Sequence, residues 1–215
     1  NSARYGAGAY CQGDVNFNNC LFSGNASVGT HSSQHAGAGI YLEDGNLFNC
    51  TFSGNSLANN NNGESVYSVS PVSYIVRCIL WDEEDNSLVV DSGSTVVTYS
   101  DIRLDYGFWP GSGNLNEDPL FTTGLEGSEY LSNEETGQLE TSPCVDSGGA
   151  SAASVTFKDA WGDTVSLELY TTRVDHEVDT GIADMGYHYR SVFPSPTPTI
   201  TPSPTMTATP TSTPT

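Results

Sequence analysis

Apolar residues in the first half of the chain alternate with polar ones, and the alternation recurs. Cys20 and Phe22, Cys50 and Phe52, and Cys78 and Leu80 each stand two positions apart in a short β-prone run. Alternate residues of a strand share a face, so the pattern predicts strands whose cysteine and apolar neighbour point inward together. Asn19-Cys20-Leu21-Phe22, Asn49-Cys50-Thr51-Phe52 and Arg77-Cys78-Ile79-Leu80 are spaced by 30 and then 28 residues. A fourth, shorter step reaches Tyr99-Ser100-Asp101-Ile102, with Ser in the cysteine slot. Gly6-Ala7-Gly8-Ala9-Tyr10 returns 31 residues later as Gly37-Ala38-Gly39-Ile40-Tyr41. Periods of this size mark solenoids, propellers or arrays. No long segment has a 3.6-residue apolar period, so a helical reading fails.

Residues 1–105 therefore read as coils of an all-β parallel solenoid. Stacked coils lie about 4.8 Å apart, which places Cys20, Cys50 and Cys78 in one buried thiol ladder and Phe22, Phe52 and Leu80 in an apolar column beside it. Ser23-Gly24-Asn25 and Ser53-Gly54-Asn55 are the expected corners, because Gly24, Asn25, Gly54 and Asn55 tolerate positive φ. The polar segments Ala26 to Ala36 and Leu57 to Ser65 read as loops bulging from one corner. Leu88-Val89-Val90 and Thr95-Val96-Val97-Thr98, divided by Asp91-Ser92-Gly93-Ser94, give a strand, turn, strand pattern.

From about residue 106 the repeat stops, and Phe108-Trp109-Pro110-Gly111 reads as a turn. Three segments then follow in order: Asn114-Leu115-Asn116-Glu117-Asp118-Pro119-Leu120-Phe121, Ser142-Pro143-Cys144-Val145-Asp146-Ser147-Gly148, and the stretch Asp179 to Tyr189 with Asp184-Met185-Gly186-Tyr187-His188-Tyr189 at its end. Together they resemble the closing module of bacterial right-handed parallel β-helix surface proteins of the choice-of-anchor type. The resemblance covers roughly residues 6–190. It implies a short right-handed β-helix closed by a β-rich cap over 106–193, with the final aspartates as turn and backbone-bonding groups. The chain departs from the pattern in three ways. Asn116 stands where Asp is usual, there are only about four coils, and an extra β-rich stretch, Val155 to Tyr170, reads as a hairpin turning through Lys158 to Asp163. Residues 194–215 change character, with seven Pro and nine Thr and no charge. Such a segment favours extended polyproline II. It reads either as an O-glycosylated stalk, modified at Thr197, Thr199, Thr201, Thr205, Thr207, Thr209, Thr211 and Thr213, or as a bare linker.

Charge changes the picture next. Among 215 residues, 26 acidic side chains face 6 basic ones, for a formal charge of −20. Little here neutralises a phosphate backbone, which argues against nucleic acid as a partner. No apolar run approaches the ~18 residues of a membrane span. Low charge density with abundant Gly, Ser, Thr and Asn suits an extracellular β-protein. Five cysteines cannot all pair within one chain. Asn1 follows neither an initiator Met nor a signal peptide, so it is a processed terminus or the edge of a fragment.

Candidate chemistry is sparse. The thiol ladder lacks the close C-x-x-C pairs of a metal site and reads as buried and unreactive. Cys11 and Cys144 fall outside it. Asp82, Glu83, Glu84 and Asp85 form the densest acidic run, with Asp101 and Asp105 expected on the next coil. Hard oxygen clusters hold Ca²⁺, so Asp82, Glu83, Glu84, Asp85 and Asp101 are the candidate ligands, against a plainly solvated acidic loop. Asp175, His176, Asp179, Asp184 and His188 crowd the final segment, where the resemblance implies a structural role. Sequons occur at Asn25 and Asn49; Asn25, at a corner, is the more accessible. Lyase chemistry on uronates needs a cationic base beside Ca²⁺, and Arg77 is the only basic residue in the middle coils. Hydrolysis needs paired carboxylates at fixed separation, where these coils offer Asn, Ser, Thr and Val. No catalytic residue is assigned, and a polysaccharide lyase or hydrolase ranks third among the readings.

The leading expectation is an extracellular structural protein that self-assembles, with a glycan-bearing tail. The first coil begins within six residues of Asn1. Unpaired strand edges invite pairing, and head-to-tail stacking of copies gives a filament; truncation of a longer β-helix gives the same open edge. The alternative is an adhesin or glycan-binding module using Tyr5, Tyr10, Tyr41 and Tyr67 on one flank.

Overall fold

A computed structural model describes residues 2–27, 36–57, 63–82 and 87–191. The first coil contains β1 (Ser2–Ala3), β2 (Ala9–Cys11), β3 (Asn16–Asn18) and β4 (Leu21–Ser23). The second contains β5 (Ala26–Ser27), β6 (Ile40–Leu42), β7 (Asn46–Phe48) and β8 (Thr51–Ser53). The third contains β9 (Ser56–Leu57), β10 (Val66–Ser68), β11 (Ser73–Val76) and β12 (Ile79–Trp81), and the fourth β13 (Leu88–Val90), β14 (Thr95–Thr98) and β15 (Asp101–Ile102). Equivalent strands stack in parallel to give three four-stranded sheets, β2-β6-β10-β13, β3-β7-β11-β14 and β4-β8-β12-β15, plus the short sheet β1-β5-β9. The chain is a parallel β-helix.

Register follows the sequence period. Phe22, Phe52, Leu80 and Ile102 lie directly above one another, and the Phe22 and Phe52 rings stack with centroids 4.6 Å apart. Phe52, Leu80 and Ile102 are wholly buried among Ile40, Leu42, Leu47 and Ile75. Burial of such side chains stabilises by about 1.5–3 kcal/mol each. The second glycine of each Gly-Ala-Gly block stands where there is no room for a side chain: a Cβ on Gly8 would come within 2.4 Å of the Gly39 carbonyl oxygen. A Cβ on Gly39 would come within 2.5 Å of both the Phe52 ring and the Ser65 carbonyl oxygen.

A second set of corners, which the sequence pattern does not announce, lies just before the cysteines. Asn19, Asn49, Arg77 and Tyr99 all have φ between 50° and 56°. Each is bracketed by the next residue's side chain, which donates to the carbonyl two residues back. Cys20 bonds Asn18 O at 3.3 Å, Cys50 bonds Phe48 O at 3.3 Å, Cys78 bonds Val76 O at 3.5 Å and Ser100 bonds Thr98 O at 3.0 Å. The thiol and hydroxyl do one job, which accounts for Ser in place of Cys in the fourth coil. All five cysteines are free thiols.

Residues 106–116 close the last coil: Trp109 packs on the apolar core, and Ile102 N donates to Leu115 O. The rest contains three antiparallel pairs, β16 (Phe121–Thr122) with β17 (Tyr130–Leu131), β18 (Thr156–Lys158) with β19 (Thr164–Ser166), and β20 (Tyr170–Thr171) with β21 (Tyr189–Arg190). The β18–β19 pair is the hairpin expected from Val155 to Tyr170. This module does more than close the last coil, for it runs back along one flank. Gly186 N donates to Arg77 O of the third coil, Tyr187 N to Thr51 Oγ1 of the second, and His188 N to Asn19 Oδ1 of the first. Asn19 Nδ2 returns a bond to His188 O at 2.9 Å. One strap thus crosses three coils. No helix among the described residues is long and apolar enough to cross a membrane.

Candidate functional site

The strap is fixed by a buried cluster that the sequence presented only as a crowd. Asp179, Asp184 and His188 place one ligating atom each within 4.8 Å of the others. His188 is fully buried. Its Nδ1 meets the Gly186 carbonyl oxygen at 3.0 Å, an acceptor, so Nδ1 carries a proton and donates. Its Nε2 meets Asp179 Oδ2 at 2.8 Å. Asp184 N donates to the same Asp179 oxygen at 3.0 Å. The Asp184 carboxylate accepts from Asp146 N at 2.7 Å and from the Thr172 hydroxyl. Burial first, and then the neighbouring Asp179 charge, push the Asp184 carboxyl up to about 6.

Two carboxylates and an imidazole are ligands suited to a divalent cation. Here, however, their atoms already bind one another and the backbone of the Ser142–Gly148 segment. The arrangement is a latch: it ties that segment, β20 and the strap together, and removing one partner of such a buried pair costs about 3–5 kcal/mol. Beside it, a cavity of about 460 Å³ opens between Glu134, Asp146, Arg173 and the edges of Asp179 and Asp184. Asp175 and His176 do not join the cluster. Asp175 pairs with Arg173 at 2.8 Å, which holds its carboxyl below the usual range. His176 stands edge-on to Tyr130.

Glu129 is a second tie, and nothing in the sequence marked it. Its Oε1 accepts from Ser23 at 3.0 Å and Ser53 at 3.1 Å on stacked coils, and its Oε2 from Tyr189 at 3.2 Å. Burial pushes this carboxyl up, but the hydroxyl bonds of Ser128, Ser23 and Ser53 outweigh it and hold the group low.

Of the expected Ca²⁺ ligands, the two among the described residues, Asp82 and Asp101, bond separate sets of groups. Asp82 is buried under the corner residues: Asn55 N donates to it at 2.7 Å, and Ser65 donates its hydroxyl at 2.5 Å. Asp101 lies over Ile79 instead, with Glu117 N at 3.2 Å and the Cys144 thiol at 3.3 Å. Burial pushes Asp82 up to about 6 and Asp101 up to about 7. Glu83, Glu84 and Asp85 lie outside the described residues, as do the tail threonines from Thr197 to Thr213. Gly24 and Gly54 turn with φ of 64° and 61°. Asn25 corrects the expectation of an accessible sequon. It is 6% exposed, and its Nδ2, the atom a glycan would occupy, donates to Asn55 Oδ1 at 2.9 Å. Stacking draws corner asparagines inward, because each satisfies the backbone of its neighbour: Asn25 N bonds Asn55, and Asn55 N bonds Asp82.

Tyr10, Tyr41 and Tyr67 form an outer ladder with ring centroids 5.2 and 5.3 Å apart, and Tyr5 meets Tyr41 edge-on. Both faces of the Tyr41 ring are covered, whereas Tyr10 at the end of the ladder is half exposed. No family model matches the chain, and no curated protein or solved structure matches it either.

Proposed function

We propose that this chain is a structural module of an extracellular or cell-surface protein, one that assembles by stacking coil on coil. The supporting observation is what the buried polar groups do. Glu129, Asp82, Asp101 and the Asp179–Asp184–His188 latch all bond backbone, hydroxyls or one another and so tie distant parts of the chain, even where the edges of Asp179 and Asp184 border a cavity. The order of the three C-terminal segments, resembling choice-of-anchor β-helix surface proteins, supports the same setting. The outer edges of β2, β3 and β4 are the stacking surface: Phe17, Cys20 and Phe22 are only half-buried, where Leu47, Cys50 and Phe52 one coil deeper are wholly covered. A coil from a second copy would bury them, as would residues preceding Asn1 in a longer chain; the assembly reading commits to the second copy. The tyrosine ladder supports structure over glycan capture, since a sugar ring packs on an aromatic face and both faces of Tyr41 are taken by Tyr10 and Tyr67. Electron microscopy of the purified protein, at low and roughly millimolar Ca²⁺, tests the proposal. Assembly through the open first-coil edge is expected, as paired particles or, where residues 106–116 give way to a second copy, as regular fibres with a short axial repeat; dispersed monomers under both conditions would sink the assembly reading.

A further inference from the structure

Three of the six basic residues of this strongly acidic chain, Arg77, Lys158 and Arg190, border two adjoining cavities between the coil corners and the β18–β19 hairpin. The cavities measure about 360 and 450 Å³, and Asn18 and Phe157 border both. Each falls within the roughly 300–1,000 Å³ of small-molecule sites. The inner cavity contains donors in excess. Arg77 stands at the left-handed corner that Asn19 and Asn49 occupy in the coils before it. Its stem lies against Gly148, where a Cβ would come within 3.0 Å of Arg77 Cδ. Its Nε donates to Asn49 Oδ1 at 3.3 Å, and among the described residues no carboxylate pairs with its guanidinium. Burial pulls this guanidinium below its usual range, as expected of a cation without a counter-charge. Asn49 is 2% exposed, and its Nδ2 is buried without a hydrogen-bond partner. Because Arg77 fixes Oδ1, that orphan is a donor.

A guanidinium without a counter-charge beside an orphaned amide donor calls for an acceptor, and a guanidinium matches an oxyanion. The outer cavity adds an apolar platform. Trp161 is 72% exposed, with the Arg190 guanidinium over one face of its ring at 4.9 Å, which leaves the other face open. Asp159, the acid at this rim among the described residues, already accepts from the Trp161 and Asp163 amides through its Oδ1. With a formal charge of −20 over the whole chain, a ligand with a single negative charge fits better than a polyanion.

We propose that this groove binds a sugar ring bearing one carboxylate, such as the terminal acidic residue of an otherwise neutral glycan. The carboxylate sits between Arg77 and Asn49 Nδ2, and the ring packs towards Phe157 and Trp161. The site differs in kind from the stacked tyrosine ladder and does not depend on the assembly reading.

Titration calorimetry and saturation-transfer NMR with glucuronate, N-acetylneuraminate, glucose and polygalacturonate test this. At least one of the two acidic monosaccharides is expected to saturate the protein, with glucose at least about tenfold weaker, as loss of a charged hydrogen bond implies. Arg77→Asn keeps a residue already seen at this corner in two coils, so the fold is retained. It is expected to weaken the acid by at least about tenfold, and Trp161→Ala by a few-fold, with unchanged circular dichroism. The proposal is overturned if neither acid binds, if glucose binds as tightly, if Arg77→Asn binds as well as the parent, or if polygalacturonate outcompetes the monosaccharides.

Discussion

In the coils one contact is repeated: Phe22, Phe52, Leu80 and Ile102 each rest on the next. In the flanking module no contact repeats. His188 has Asp179, Glu129 has Ser23 and Ser53, and Cys144 has Asp101. The coils repeat both their apolar column and a ladder of buried corner groups, Asn25, Asn55 and Asp82. The module adds to its smaller apolar clusters single buried polar pairs, each of which leaves a costly orphan when broken. A β-helix built this way gains length by repetition and gains a fixed end by specific bonds.

The comparison is broken most severely at the shared column. Phe52→Ala removes a fully buried ring between Phe22 and Leu80 and is expected to cost about 3–5 kcal/mol, lowering the stability of the whole molecule in urea melts followed by near-ultraviolet circular dichroism. A loss below about 1 kcal/mol would show that the column does not carry the stack. His188→Ala strikes the module instead. It strands Asp179 without its partner at an expected cost of about 3 kcal/mol, and the first transition in urea should report the module while the coils persist. Loss of both together would contradict the separation.

The third test uses pH. A carboxyl whose folded pKa lies above its unfolded value holds its proton more tightly when folded. Stability is therefore gained as pH falls through the folded pKa and lost as pH rises through it. Burial pushes Asp101 up to about 7, and Asp82 and Asp184 up to about 6. The protein should thus be more stable at pH 5 than at pH 8, with Asp101 alone contributing roughly 2–3 kcal/mol of the gain. Asp101→Asn keeps an acceptor for Glu117 N and should remove that share of the slope. An unchanged slope would mean that Asp101 is not the group that titrates.

The coils were legible in the sequence because a two-residue alternation set within a thirty-residue period fits little besides a stack of strands. Cys20, Cys50 and Cys78 pointed to the right face. Their partners did not show: Asn19 and Asn49 favour left-handed backbone, but Arg77 and Tyr99 in the same column carry no such signature. Asn25 looked exposed because corners usually are, and only the stack reveals that each corner amide is satisfied by the next. Asp179, Asp184 and His188 were visible as neighbours in sequence, whereas their convergence depends on the strap's path across three coils. Glu129 lies 106 and 76 residues from Ser23 and Ser53, and a lone glutamate in a loop gives no sign of such contacts.

Hydrogen–deuterium exchange of the parent and His188→Ala proteins tests the central claim, that a strap latched by the Asp179–His188 pair binds the coils along one flank. The account predicts slow exchange at Gly186, Tyr187 and His188 in the parent. In the variant these amides should speed up together with β20–β21, while the amides of β8 and β12 stay protected. Fast exchange at Gly186, Tyr187 and His188 in the parent, or uniform loss of protection across coils and module in the variant, would contradict it.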